Sequence, residues 1–196
     1  MRLPSCGEAG PGLGDLYDDV EATRKVIASA EPPVVLVGHS YGGVVITEAG
    51  AHGAVSHLCY LASVMPDAGE SLASIAGAEP APWMDPRDDG TVGVVPEIVR
   101  ELFLQDCDAA TADGALARLT DQSAAPFAQP PRQIAWRDKP WTYFVCTEDL
   151  AIPADVQRSR ARDERRLVDV PTGHHPFLAE PELFAEALAG TVTRAD

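Results

Sequence analysis

The stretch that decides the fold runs from residue 34 to residue 51 and reads VVLVGHSYGGVVITEAGA. Residues 34–37 form a β-branched run without alternation, which is typical of a strand buried on both faces. Residues 38–42 then match the pattern G-x-S-x-G, and residues 44–51 are predicted to be helical. A serine on so sharp a strand-to-helix turn has strained backbone angles, and the flanking glycines are expected to prevent side-chain collisions. The stretch therefore predicts a nucleophile elbow centred on Ser40.

Further apolar segments lie on both sides of this elbow. A helix is predicted to begin near Asp15 and to end before Pro32-Pro33. Additional strands are predicted over residues 57–62, 141–146 and 167–170. Strands that alternate with helices indicate a mostly parallel sheet with helices on both faces. A chain of 196 residues is long enough for one such domain, so residues 1–196 are predicted to form a single α/β domain.

The interval from about residue 66 to residue 139 interrupts the alternation of strands and helices. It is rich in proline and contains predicted helical pieces at residues 97–104 and 109–119. We expect this interval to form a lid inserted over the sheet.

A serine of ordinary pKa is a poor nucleophile, so catalysis requires a histidine base and a carboxylate that orients it. In this type of fold the chain order is serine, acid, histidine. His39 is fixed within the elbow, and His52 and His57 fit surface or strand-edge positions better. The adjacent His174 and His175 lie between the last strand and the final helix, where the base is expected. The sequence pattern leaves the choice within this pair open.

The acid is expected where a strand of the parallel sheet ends. Asp149 follows the predicted strand over residues 141–146 and is the first choice. Glu148 is its nearest rival, and Asp67 occupies a second position at which such folds place the acid. A role for Asp149 as a turn or helix-cap residue before Pro153 is the structural alternative.

These motifs resemble those of the α/β-hydrolase superfamily. The resemblance rests on residues 34–60, on LASVMPDAGES at 61–71, on VCTEDLAIP at 145–153 and on TGHHPF at 172–177. Within the superfamily, the chain most resembles the small bacterial esterase-like hydrolases related to plant methylesterases and hydroxynitrile lyases. The resemblance implies an α/β-hydrolase fold: a mostly parallel sheet, flanking helices and a small helical lid.

Carried over by position, the resemblance implies Ser40 as nucleophile, Asp149 as acid, His174 as base and the backbone N–H of Tyr41 as an oxyanion donor. The related hydroxynitrile lyases have a lysine directly after the base, where His175 stands here. Cyanohydrin cleavage is therefore disfavoured.

The sequence departs from the family pattern at the N-terminus. Family members begin with a strand, a His-Gly loop, a helix and another strand before the region that corresponds to residues 3–7. The chain is thus expected to be N-terminally truncated by roughly 40 to 50 residues relative to such a fold, which leaves the second oxyanion donor unassigned. Loss of one donor costs about 10²- to 10³-fold in turnover. The exposed sheet edge that results would favour a homodimer.

The leading functional hypothesis is a serine carboxylesterase that cleaves an ester of a small, largely apolar molecule without a cofactor or metal. The predicted pocket residues are His39, Met65, Trp83, Phe103, Phe127, Trp136 and His175. One alternative is a lyase or cyclase in which a His–Asp pair acts as the base. A second alternative is a catalytically impaired binding or oligomerising protein that lacks a complete oxyanion hole.

Composition and sequence patterns argue against several other classes of function. The chain has 15 basic and 30 acidic residues, a formal net charge of −15, so nucleic-acid binding is not expected. No apolar run approaches the roughly 18 residues that span a bilayer, and no secretory signal precedes residue 7, so a cytoplasmic protein with no membrane partner is expected. The four cysteines form no Cys-x-x-Cys pair, which argues against a zinc or redox motif.

Overall fold

The computed structural model describes residues 1–8, 12–77, 79–163 and 166–192. Within these ranges the elements, in chain order, are β1 (Cys6–Gly7), α1 (Leu16–Ser29), β2 (Val34–His39), α2 (Gly42–Ala49), β3 (Val55–Leu61), α3 (Leu72–Ala76), β4 (Met84–Pro86), β5 (Thr91–Val94), α4 (Pro96–Phe103), α5 (Ala109–Leu116), β6 (Asp121–Ser123), α6 (Ala125–Ala128), a 3₁₀ turn (Ala135–Arg137), β7 (Trp141–Cys146), α7 (Ala154–Arg160), β8 (Leu167–Val170), α8 (Pro176–Ala179) and α9 (Pro181–Val192).

The main sheet is parallel and has the strand order β2-β3-β7-β8. Its register aligns His39 with Leu61 and Leu61 with Phe144. The carboxyl ends of the strands therefore meet at one edge, as the predicted α/β architecture requires. Strands β7 and β8 have the predicted bounds, whereas β3 begins two residues earlier and ends one residue earlier than predicted.

The two central strands bury both faces of the sheet. Tyr60 and Tyr143 point into a core cluster that also contains residues of α1 and α2. Their neighbours along the strands, Cys59 and Phe144, point to the other face and pack near Phe184 of α9. Since successive side chains of a strand alternate between faces, apolar residues at every position suit burial on both sides.

Strand β2 differs from the prediction of burial on both faces. Most of its side chains are only half-buried, and Val37 is 41% exposed. Among the described residues, β2 lies at one end of the strand order, so its outer side receives less cover than those of β3 and β7. The β-branched run therefore reflects strand propensity here more than complete burial.

Helix α1 begins at a capping box. The Asp15 carboxylate accepts hydrogen bonds from the N–H groups of Tyr17 and Asp18, and the Asp18 side chain accepts one from the N–H of Asp15. These contacts satisfy donors that a helix start otherwise leaves unpaired. Leu16, Val20 and Ile27 of this helix are buried against the main sheet's core cluster.

A second, antiparallel sheet has the order β1-β6-β5-β4, and the sequence did not predict it. Strands β4 to β6 and helices α3 to α6 lie in the predicted insertion, and this part of the chain is called the cap below. Helices α4 and α5 lie close to the two predicted helical pieces. Strand β1 comes from outside the predicted insertion, because Cys6 pairs with Gln122. The antiparallel sheet therefore joins strands of the predicted insertion to the start of the chain.

In the ranges that the structure describes, no helix has both the length and the apolar character to cross a bilayer.

The tight packing of α2 against the segment after β3 yields a stability prediction. A Cβ on Gly43 would overlap Ser63 Oγ and Val64 O, whereas a Cβ on Gly42 would meet no atom within 4 Å. We expect Gly43→Ala to lower the free energy of unfolding by about 2 kcal/mol or more, because the added methyl group would force closely packed backbone and side-chain atoms apart. Urea denaturation measures this change.

Gly42→Ala is the matched control, since it adds the same methyl group one residue away. It is expected to be neutral or to stabilise by up to about 1 kcal/mol, because alanine has the higher helix propensity. Equal stabilities of the two variants would contradict the packing described here.

Candidate active site

Ser40 lies on a strained turn between β2 and α2. Its φ is +51°, a left-handed conformation that is uncommon for residues other than glycine. The Ser40 N–H donates to Leu61 O at 3.1 Å. Its carbonyl accepts hydrogen bonds from the Gly43 N–H at 3.1 Å and from Ser63 Oγ at 2.5 Å. Contacts from β3, α2 and the segment after β3 thus hold the serine in place.

The two motif glycines play different parts in this turn. A Cβ on Gly38 would lie 2.6 Å from Gly42 O, so the predicted collision is confirmed there. The same prediction is wrong for Gly42, because a Cβ there would point into open space. The second close approach occurs instead at Gly43, against Ser63.

His174 and Asp149 form a buried pair at the carboxyl edge of the sheet. His174 Nδ1 lies 2.7 Å from Asp149 Oδ2, and the two residues are 1% and 4% exposed. The other carboxylate oxygen, Oδ1, accepts the N–H groups of Ala151 and Ile152 at 2.8 and 2.9 Å. Asp149 therefore contacts the imidazole of His174 and also organises the turn that follows β7.

The contact with Asp149 determines which ring nitrogen of neutral His174 carries the proton. An ionised carboxylate can only accept hydrogen bonds, so the proton of the imidazole must sit on Nδ1. The lone pair is then on Nε2, the atom that a general base would use.

Gln157, which the sequence did not predict as part of the site, donates a hydrogen bond to the same carboxylate. Its Nε2 lies 3.1 Å from Asp149 Oδ2, and its side chain also bonds the backbone of Cys146 and Ile152. Gln157 is fully buried on α7. A glutamine eight residues after the acid gives no sequence signal, because its role arises only when α7 folds back over the turn.

The rival acids and bases lie elsewhere. Glu148 is exposed to solvent, and Asp67 forms an ion pair with Arg137. His57 pairs through Nε2 with Thr142 Oγ1 between neighbouring strands, and His52 accepts the N–H of Ala54. Of these candidates, Asp149 alone contacts an imidazole.

Two further imidazoles surround His174. The His39 ring centroid lies 4.6 Å from that of His174, and His39 Nε2 is 2.8 Å from the His174 carbonyl, to which it donates. His175 has its centroid 5.0 Å from that of His174 and donates from Nδ1 to Phe103 O at 2.9 Å. Burial, reinforced by the neighbouring histidines, holds the pKa of His39 well below its usual value and lowers the pKa of His175 to about 4. Both flanking imidazoles are therefore neutral at pH 7.

Ser40 and His174 line the same cavity, of about 290 Å³, between the sheet edge and the cap. Its lining residues are His39, Ser40, Trp83, Val92, Gly93, Val94, Val99, Phe103, Leu119, Thr120, Gln122, Phe127, His174 and His175. The predicted pocket residues His39, Trp83, Phe103, Phe127 and His175 are thus brought together with the serine. No Asp, Glu, Lys or Arg is among these lining residues, so the walls carry no permanent charge.

Two predicted pocket residues lie elsewhere. Met65 is 1% exposed and packs in the core cluster beneath α2, because the segment after β3 turns its side chain into the domain. Trp136 packs against the same cluster and donates its indole N–H to Pro66 O. Neither Met65 nor Trp136 is among the residues that line the cavity beside Ser40.

Tyr41, the residue after the serine, is anchored by a buried carboxylate. Its hydroxyl donates to Asp19 Oδ2 at 2.8 Å, and Asp19 also accepts the N–H and the hydroxyl of Ser5. Burial, together with the charge of Asp19, raises the pKa of Tyr41 well above its usual value. The tyrosine is therefore a neutral donor whose position, and that of its backbone N–H, is tied to α1.

Over the described residues, no group of three or more His, Cys, Asp or Glu side chains lies together in a way that could hold a metal ion.

A parallel sheet whose elbow serine shares a cavity with a buried His–Asp pair is the arrangement found in α/β hydrolases. Comparison with known proteins agrees: the model of the alpha/beta hydrolase family matches residues 1–187. The chain is 31% identical to the alpha/beta hydrolase nvfD of Aspergillus novofumigatus, over the whole chain and 85% of that protein. The chain therefore belongs to the alpha/beta hydrolase family.

Other relatives carry more specific names. The pyrethroid hydrolase of Sphingobium wenxiniae is 28% identical over 89% of this chain and 69% of its own length. The crystal structure of a pyrethroid hydrolase from Sphingobium faniae has a TM-score of 0.78 at 26% identity and covers 90% of this chain and 77% of that one. Polyneuridine aldehyde esterase, with a TM-score of 0.75 at 22% identity, covers 91% of this chain and 80% of its own and shares the fold.

The lowered pKa of His175 predicts a pH-dependent contribution to stability. The unfolded chain protonates this histidine near pH 6.5, whereas the folded protein does so only near pH 4, so stability is lost as pH falls between these values. The loss is at most about 3 kcal/mol. His175→Asn keeps a donor for Phe103 O but cannot titrate, so this part of the pH dependence should disappear in the variant.

Urea unfolding at pH 7.0 and pH 4.5 measures the difference. The wild-type protein is expected to lose more unfolding free energy than His175→Asn over this interval. A larger loss in the variant, or the same loss in both proteins, would contradict the buried neutral state.

Proposed function

We propose that the chain is a serine hydrolase of the carboxylesterase type that cleaves an ester of a small, largely apolar molecule. The observation that carries the proposal is the 2.7 Å contact between His174 and Asp149 beside a cavity that Ser40 also lines. The roles are Ser40 as nucleophile, His174 as general base and acid, and Asp149 as the group that orients the imidazole.

In the proposed reaction, Ser40 Oγ attacks the ester carbonyl carbon while His174 Nε2 takes the hydroxyl proton. The resulting imidazolium faces the Asp149 carboxylate, which stabilises its charge. His174 then returns the proton to the leaving alcohol as the C–O bond breaks. Water, deprotonated by the same nitrogen, then attacks the acyl carbon. The bond from that carbon to Ser40 Oγ breaks, His174 returns the proton to Oγ, and the acid is released.

The oxyanion of the tetrahedral intermediate needs hydrogen-bond donors that are in place before the reaction. The Tyr41 N–H, at the start of α2, is the proposed donor, and the anchoring of Tyr41 by Asp19 supports this role. Ser40 lines the cavity and sits on a turn with a positive φ.

The cavity supports the proposed substrate class. Aromatic and aliphatic side chains make up most of its lining, and its neutral walls provide no partner for a charged acyl or alcohol group. A volume of about 290 Å³ suits a small molecule. The names of the relatives, two of them pyrethroid hydrolases, are in keeping with hydrolysis of apolar substrates.

Hydrolysis of short p-nitrophenyl esters tests the proposal. The wild-type chain is expected to turn over these esters, and Ser40→Ala and His174→Ala are expected to lower kcat by at least about 10³-fold, since members of a triad act as a unit. Far-ultraviolet circular dichroism and urea unfolding check that each variant folds.

His52→Ala is the matched histidine control, because His52 lies outside the cavity and contacts only its local turn. Its kcat should stay within about twofold of the wild-type value. Turnover that persists in folded Ser40→Ala would refute the proposed nucleophile, and a folded wild-type chain without turnover would refute the esterase assignment.

A further inference from the structure

The end of helix α4 touches both loops that carry the His–Asp pair. Phe103 O accepts a hydrogen bond from His175 Nδ1 at 2.9 Å. Gln105 Nε2 donates to Glu148 O at 2.8 Å, directly before Asp149. Asp106 Oδ2 accepts the N–H of Gly173 at 2.6 Å, directly before His174. Residues 103–106, named here the cap clamp, therefore bond the chain on either side of His174 and next to Asp149.

Close packing accompanies these hydrogen bonds. A Cβ on Gly173 would overlap Gln105 Nε2 and lie 2.7 Å from Asp106 Oδ1. Glycine at position 173 thus allows the cap clamp to approach the backbone of the histidine loop. Leu178, which follows in α8, also packs against the apolar cluster of the cap that contains Leu104.

The bond from Asp106 is the strongest of the set on chemical grounds. A carboxylate that accepts a backbone N–H forms a charge-assisted bond, about twice as strong as a neutral one. Its other oxygen, Oδ1, is buried and has no hydrogen-bond partner.

The same segment forms a wall of the cavity. Phe103 lines the cavity, and its ring meets the His174 ring edge to face, with centroids 4.9 Å apart. The position of the cap and the position of the imidazole are therefore set by one short stretch of chain.

We propose that Asp106 is a positioning residue for the hydrolysis: through the Gly173 N–H it holds the His174 loop against the Asp149 loop, with Gln105 and Phe103 completing the cap clamp. The proposal rests on the esterase function proposed above. A displacement of a catalytic group by about 1 Å can lower turnover about 10²-fold, so a contact that is not itself catalytic can control kcat.

Asp106→Ala removes the acceptor, and Asp106→Asn keeps an oxygen for the Gly173 N–H without the charge. Asp108→Ala is the matched control, because Asp108 likewise accepts a backbone N–H, that of Thr111 at 2.7 Å, within the same cap. This contact caps the start of α5 and does not reach either loop of the His–Asp pair.

In ester hydrolysis, Asp106→Ala is expected to lower kcat about 10- to 100-fold with KM changed less than about threefold. Asp106→Asn should recover most of the lost kcat, and Asp108→Ala should stay within about twofold of the wild-type value. A loss confined to KM, a loss that Asn does not rescue, or equal kcat values for Asp106→Ala and Asp108→Ala would overturn the proposal.

Amide hydrogen exchange provides a readout that does not depend on turnover. In Asp106→Ala the Gly173 amide and its neighbours should exchange at least about tenfold faster, while β7 remains as protected as in the wild-type protein. Unchanged exchange at Gly173 would overturn the cap clamp. If the wild-type chain shows no turnover, the esterase proposal fails and the positioning role fails with it, and exchange then decides whether the clamp orders the loop.

Discussion

The turn at Ser40 is the constraint on which the rest of the molecule depends. Strand β2 passes directly into helix α2, and the backbone makes this turn with a positive φ at the serine. That conformation is held by Leu61 at the end of β3, by Gly43 in the first turn of α2 and by Ser63 beyond the sheet. This turn therefore connects the parallel sheet, the helix packed on it and the site at the carboxyl edge of the sheet.

The second requirement is that an acid and a base, 25 residues apart in the chain, meet beside this turn. Parallel register brings the ends of β7 and β8 together, and the turns after them present Asp149 and His174 to each other. The pair is buried, and the N–H groups of Ala151 and Ile152 and the side chain of Gln157 provide the other contacts to the carboxylate. The neutral imidazoles of His39 and His175 surround the base without adding charge at pH 7.

Local patterns predicted much of this arrangement. Strands β7 and β8 are short apolar runs with clear boundaries, and the elbow motif, the acid and the histidine pair each follow a strand, where parallel sheets place their sites. The antiparallel sheet of the cap was not predictable, since its strands are two to four residues long and β1 pairs with a segment more than a hundred residues away. Periodicity needs longer elements, and long-range pairing leaves no local trace.

The placement of some single side chains could not be predicted for a related reason. Met65 and Trp136 are apolar residues near the cap, and composition cannot tell a cavity wall from the core beneath it. Gln105 and Asp106 appear in the sequence as ordinary polar residues at a helix end, and their contacts to the two loops exist only in the folded cap. Sequence patterns thus predicted the members of the proposed triad, whereas the residues that contact them from α7 and from the end of α4 required the structure.

The central claim is that Ser40 is a nucleophile activated by the buried His–Asp pair, and covalent trapping tests it most directly. A fluorophosphonate should form a phosphonyl–serine bond with loss of fluoride, and peptide mass spectrometry should locate the added mass on Ser40. The account predicts rapid labelling of that residue alone in the wild-type chain and labelling slowed by at least about 100-fold in His174→Ala. Labelling at another residue, or equal rates in the two folded proteins, would contradict it.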